Sequence, residues 1–366
     1  MAEMEPLFSA VYHGCQAKRE QEIFDGLYYE RVLRRERSFL NDALGGNEED
    51  VALLANFFDR PWNQPSENLN KTGKAEVLNF AGYALRAIGR FDEAESAMKA
   101  GIPIREGIPD YAEASNDNRN LSELLIFRGQ ILDAIPYASR AVELAKLASG
   151  LHPSIVAFRT CSLGNALFLS GKTDEAEVQF LEAEEIIAKE REWAPFLGGI
   201  SAFCRLRMHA HLDEQEKAIQ LVEKIPQGNW KPHEVSELTK GLEVLGEGIV
   251  LTLEHIARPG DPTSAHSTLM KAVSQLRRAG VEYYICLGLA YLSLLTKSCA
   301  HDKLYEASLS EAQKIAERIG ARGLTLDLDA IALQDGKNGS DIRQLFDRAE
   351  ALGYGAFEYV FFPWFR

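Results

Sequence analysis

The chain has 366 residues, of which 46% are hydrophobic and 26% charged, and its formal net charge is −14. This is the composition of a folded, soluble chain, and it excludes intrinsic disorder and low-complexity architectures. An acidic chain with no basic block also lacks the Lys and Arg needed to neutralise a phosphate backbone, so direct nucleic-acid binding is not expected.

Residues 5–58 read as two or three helices, too irregular to be repeats and placed where a cap would sit. The densest basic stretch, Arg31 to Arg37, is interrupted by Glu36 and reads as a solvated helix face. The opening Met-Ala-Glu-Met-Glu-Pro has no basic segment with an apolar run behind it, so no signal peptide is expected. Arg60-Pro-Trp-Asn-Gln-Pro65 then breaks the helical pattern and links the cap to the helical repeats.

Three segments next align with one another, at 78–102, 119–143 and 161–185. Each has an apolar helix, then Gly89, Gly129 or Gly171, then Ala94, Ala134 or Ala176 five residues later. The Gly ends the first helix where a left-handed backbone is needed. Acidic residues come at the start of the second helix, where they oppose the positive end of its dipole. The Ala is small because the two helices cross closely there.

Beyond 185 the pattern persists in less regular form. A hairpin is expected over 195–225 and another over 233–279, the latter keeping the spacing at Gly260, Ala265, Leu269 and Ala272. A sixth runs from Leu287-Gly288 to 320, with a longer loop than the others. One helix, 341–352, precedes an aromatic tail. The longest apolar run, 283–295, is shorter than the ~20 residues that span a bilayer, so no membrane association is expected. Five cysteines without a C-x-x-C pair suit reduced thiols in a cytoplasmic protein.

Leu163-Gly164, Leu167, Gly171, Ala176, Phe180 and Ala183 resemble the signature of the tetratricopeptide repeat, an array of helical hairpins. The glycines recur roughly every 40 residues, against ~34 in the standard repeat. Repeats of this longer period, with the stretch Phe57 to Trp62, are similar to the sensor domains of bacterial STAND/NACHT-type signalling ATPases. The resemblance implies an all-α, right-handed superhelical solenoid of about six hairpins with capping helices at both ends. It divides the chain into a cap and linker (1–70), a repeat solenoid (71–336) and a C-terminal helix with tail (337–366). It also implies a protein-interaction scaffold or sensor of a signalling, regulatory or defence system that binds a partner protein or peptide in its concave groove.

In such repeats the first helix of each hairpin lines the groove. The inward positions are then Glu76, Asn79, Tyr83 and Arg86; Arg119, Glu123 and Phe127; and Phe158, Asn165 and Phe168. Aromatics beside Arg suit a protein-binding hot spot, although Phe158 and Phe168 equally suit a core. In the tail, Phe357, Tyr359, Phe361, Phe362, Trp364 and Phe365 are too apolar to stay bare in water. They either cap the last hairpin or dock on a partner, including a second copy of the chain.

No enzyme is expected. The chain has no phosphate loop, no H-E-x-x-H, no nucleophile elbow and no paired Cys, and no cofactor or metal is expected. His209 and His211, two residues apart on a helix, point about 200° apart and cannot share an ion. The alternatives are a small-molecule-sensing regulatory domain and a metal-dependent enzyme built on the His209 region.

Overall fold

A computed structural model describes residues 2–35, 39–190, 197–212, 214–224, 236–333 and 339–357. The described residues are almost entirely helical. Near the N-terminus lie α1 (Glu5–Gln16), α2 (Glu20–Ile23), which widens into a π-type helix over Phe24–Val32, and α3 (Asn47–Leu54). Phe24, Tyr28 and Phe57 form the aromatic centre of this cap, with rings 5.6–5.7 Å apart. Asp50 is buried beneath them and accepts from the Tyr28 hydroxyl and the Asn41 amide. Two short strands, Phe58–Arg60 and Gln64–Pro65, pair across the linker.

Helices then come in packed pairs. They are α4 (Lys71–Ala87) with α5 (Phe91–Glu106), α6 (Tyr111–Phe127) with α7 (Ile131–Leu147), and α8 (Pro153–Leu169) with α9 (Thr173–Glu190). Next are α10 (Gly199–His211) with α11 (Gln215–Lys224), and α12 (Glu237–Ala257) with α13 (Thr263–Ala279). The series ends with α14 (Glu282–Ser298) against α15 (Asp302–Ile319) and α16 (Arg322–Ala332) against α17 (Gly339–Ala351).

The reasons for these elements are local. Asn70, Asp110 and Ser236 cap their helices by accepting from the backbone N–H three residues on, which satisfies donors the first turn leaves over. Asp92 and Glu93 open α5, and Asp174 and Glu175 open α9. Ala94, Ala134 and Ala176 are fully buried, as a close helix crossing requires. The fifth pair keeps this spacing, with Ala265, Leu269 and Ala272 buried along α13.

The pairing of helices differs from the sequence reading at two places. The sixth pair is joined by a loop as short as those of the first three, because α14 runs on to Ser298 and α15 begins at Asp302; the longer connection lies between α12 and α13. The C-terminal helix, α17, does not stand alone either. It pairs with α16, whose sequence is short and passes for the end of the preceding repeat.

The pairs do not leave an open inner face throughout. Gly89, Gly129 and Gly171 adopt φ of +77°, +77° and +85°, as a helix-ending turn needs. Each also lies against a later part of the chain, Gly89 against Ile319, Gly129 against Gly323 and Gly171 against Gly355. A Cβ at Gly129 would stand 2.8 Å from the Gly323 nitrogen. The Ala356 N–H donates to the Leu169 carbonyl at 3.0 Å. On the other side the cap reaches the fifth pair, where the Asn47 amide donates to the Ala279 carbonyl at 3.4 Å.

Candidate functional site

The first helices of the second, third and fourth pairs, α6, α8 and α10, converge on α14. Between them lies a cavity of about 40 Å³, lined in part by Arg119, Glu123, Phe127, Phe158, Asn165 and Arg207. Five of the inward positions read from the sequence therefore meet at one place. They are positions on α6 and α8 about one or two helical turns apart, which is the spacing that puts side chains on one face.

The floor of the cavity is a charged network. Glu123 accepts from Arg86 Nη1 at 2.7 Å, from Arg119 Nη1 at 2.8 Å and from the Tyr284 hydroxyl at 3.2 Å. Burial alone would raise its carboxyl, but the two guanidiniums hold it below the usual range. Asn79 joins through Asn120, whose amide donates to Asn79 Oδ1 at 2.9 Å. Tyr83 lies under Arg86, 5.1 Å from ring centre to guanidinium. Arg119 in turn lies 5.0 Å over the Phe158 ring.

Aromatic rings adjoin this network. Phe127 and Tyr283 stack with ring centres 3.9 Å apart and planes 4° apart. Tyr284 meets both Phe127 and Phe203 edge-on. Phe168 is fully buried among core residues of α8, so of the two phenylalanines with a core alternative it is the one that takes it. Phe158 is half-buried and lines the cavity. Glu76 lies apart from it, where Arg105 acts on its carboxyl; burial raises that carboxyl and Arg105 opposes the shift.

Sequence reasoning missed the residues that come from outside the clear repeats, Arg207, Tyr283 and Tyr284, together with Ser122 on α6. Tyr283 and Tyr284 sit in an apolar run that reads as core. Only their repeated hydroxyl chemistry beside Glu282 could have marked them.

The remaining chemistry-bearing groups do not assemble a reactive centre. Burial pushes the Cys204 thiol up to about 12, and Cys161 is raised as well, so both cysteines at the cavity are protonated. His209 Nδ1 lies 2.5 Å from Glu214, whereas His211 Nε2 lies 2.5 Å from the Tyr291 hydroxyl. The two histidines thus have separate partners, as their spacing requires. Among the described residues no three His, Cys, Asp or Glu side chains gather as a metal site would need, and no helix is long and apolar enough to cross a membrane.

At the C-terminus Phe357 is fully buried, packed edge-on to Phe346 at 5.8 Å and beside Tyr354. This start of the tail is held by α8, α16 and α17. The remaining tail aromatics, Tyr359, Phe361, Phe362, Trp364 and Phe365, lie outside the described residues. Comparison with known proteins finds no family that matches this chain and no curated protein similar to it in sequence.

Proposed function

We propose that the chain is a non-catalytic recognition module, a scaffold or sensor built on long-period tetratricopeptide-type hairpins in a right-handed superhelix. It serves a cytoplasmic signalling, regulatory or defence system and acts by binding a partner protein or peptide. The observation that supports this reading is the convergence of Arg119, Glu123, Phe127, Phe158 and Asn165 on one cavity. Guanidinium, amide and aromatic groups are recognition chemistry, and hot spots concentrate in such partly enclosed, well-packed places.

The test uses capture from native extract with wild-type protein and with Phe158→Ala and Asn165→Ala, both at half-buried positions. A partner held by wild type and lost by both variants supports the reading. Equal recovery by all three removes the cavity from partner binding.

A second reading, small-molecule sensing, is favoured by one specific observation. Part of the inner face of α6 is covered by Tyr283 and Tyr284 of α14, so the space beside Arg119 is a small, partly open cavity that suits a small group better than an extended peptide.

A further inference from the structure

Three residues that line the cavity between α6, α8, α10 and α14 each carry a buried side-chain donor without a partner. Arg119 places its Nη atoms on Glu123 and Asn120, but its Nε is buried without a partner. Ser122 Oγ, three residues on along the same helix, is buried and unpartnered too. On α10, Arg207 leaves its Nε unpartnered while being only 4% exposed. All three residues line the cavity. Leaving a donor dry and unpaired carries a desolvation cost, and native cores keep few of them.

The charges point the same way. Glu123 is the carboxylate at the cavity, and it is shared between Arg86 and Arg119, so that group keeps one positive charge in excess. Arg207 adds another. The carboxyl acting on it, Asp327, is held toward its protonated state by burial, an effect Arg207 opposes. Arg159, next to the cavity on α8, bonds neutral partners in Ser115 and Asn116. Burial and then the like charge of Arg119 act against its charge, and it stays a guanidinium with no carboxylate bonded to it. A chain of net charge −14 therefore concentrates positive charge at a cavity lined by aromatic rings. A guanidinium cannot discharge itself by losing its proton as a lysine can, so the excess calls for an anion.

Size limits that anion. One water needs roughly 10–15 Å³ of such space, so 40 Å³ admits a group of only a few atoms. We propose that this cavity is an oxyanion site that takes the phosphate or carboxylate head of a small ligand, with Arg119, Ser122 and Arg207 as its donors. The inference rests on the small-molecule reading above and gives it a ligand class. The bound oxyanion accepts from Arg119 Nε and Ser122 Oγ on α6 and from Arg207 Nε on α10. The ligand body lies along Phe158 and Asn165.

The test measures the thermal stability of the full chain against inorganic phosphate and, separately, succinate, each set against sodium chloride at matched ionic strength. A saturable rise in melting temperature with phosphate assigns a phosphate head; a rise with succinate alone assigns a carboxylate. Ser122→Ala removes a hydroxyl that bonds nothing in the protein, so it folds. It raises the half-saturating anion concentration by roughly tenfold, the loss expected for one hydrogen bond to a charged group. Arg207→Lys, which keeps the charge but not the Nε donor, weakens binding as well. If neither anion stabilises beyond chloride, or if Ser122→Ala binds like wild type, the oxyanion site is wrong. Partner capture is scored separately, so retained capture without anion binding overturns this site and leaves the recognition reading standing.

Discussion

The Phe127 ring, at the end of α6, lies flat against the Tyr283 ring at the start of α14, 3.9 Å away and within 4° of parallel. The two residues belong to the second and sixth helical pairs. The next residue along, Tyr284, donates its hydroxyl to Glu123, one turn before Phe127. One turn of α14 thus covers part of the inner face of α6 with a stacked ring and a hydrogen bond. The turn that follows α6 meets a different helix, with Gly129 against Gly323 at the start of α16.

The crossing of paired helices gives the first prediction. Ala176 is fully buried, and the Phe180 ring lies so close to Gly164 that a Cβ there would stand 3.0–3.3 Å from it. Ala176→Leu is expected to destabilise by roughly 1–3 kcal/mol, as overpacking does. Gly164→Ala should act in the same direction by less, because the Phe180 ring must give only by tenths of an ångström. Denaturant melts measure both, and a variant at Ala176 that unfolds with wild type would break the register drawn through Gly171.

The shared carboxylate gives the second. Glu123→Ala leaves Arg86 and Arg119 buried beside each other without their counter-charge. Removing one partner of a buried ion pair costs about 3–5 kcal/mol. The expected result is a protein that melts well below wild type and is partly rescued by Arg86→Met in the same chain. A double variant no better than Glu123→Ala would mean that like-charge repulsion is not the cause.

The third concerns pH. His211 is buried on α10, with Tyr291 at its Nε2, and its pKa is held well below the ordinary value by burial and then by Arg207. Below pH ~6.5 the unfolded chain takes up a proton there that the folded chain refuses, so stability falls as pH drops. Above that value the histidine is neutral in both states and contributes no slope. Melts of wild type and His211→Gln between pH 7.5 and 5 should diverge, with wild type losing more stability towards acid. Parallel curves would contradict a neutral buried histidine.

The paired helices were legible because their signals are local: Gly at a left-handed turn, Ala at a crossing, acids in a first turn. The inward residues of α6 and α8 were legible for the same reason, since one-face periodicity predicts which side chains share a direction. What could not be read was the partner of that face. Tyr283 and Arg207 come from helices more than one pair away from α6, and nothing in the spacing within a repeat encodes which later helix returns to cover it. The same holds for Gly89, Gly129 and Gly171, whose turn role is local but whose contacts with Ile319, Gly323 and Gly355 are not. Helix α16 escaped because its sequence offers only three turns and no Gly-to-Ala spacing of its own.

The fourth prediction concerns the start of the tail. Phe357 is fully buried against Phe346 and Tyr354, and the neighbouring Ala356 N–H bonds the end of α8. Phe357→Ala is expected to cost about 3–5 kcal/mol, the usual range for a core Phe. An unchanged melting temperature would mean that this segment is not seated on the third pair.

The closure of α14 over α6 is the claim on which the cavity depends, and a double-mutant cycle between Phe127 and Tyr283 tests it most directly. Phe127→Leu, Tyr283→Leu and the double variant are compared with wild type by denaturant unfolding. Two rings in contact should show a coupling of about 0.5–1.5 kcal/mol, as aromatic pairs do. Strictly additive losses would mean that the two helices do not meet and that the cavity is open.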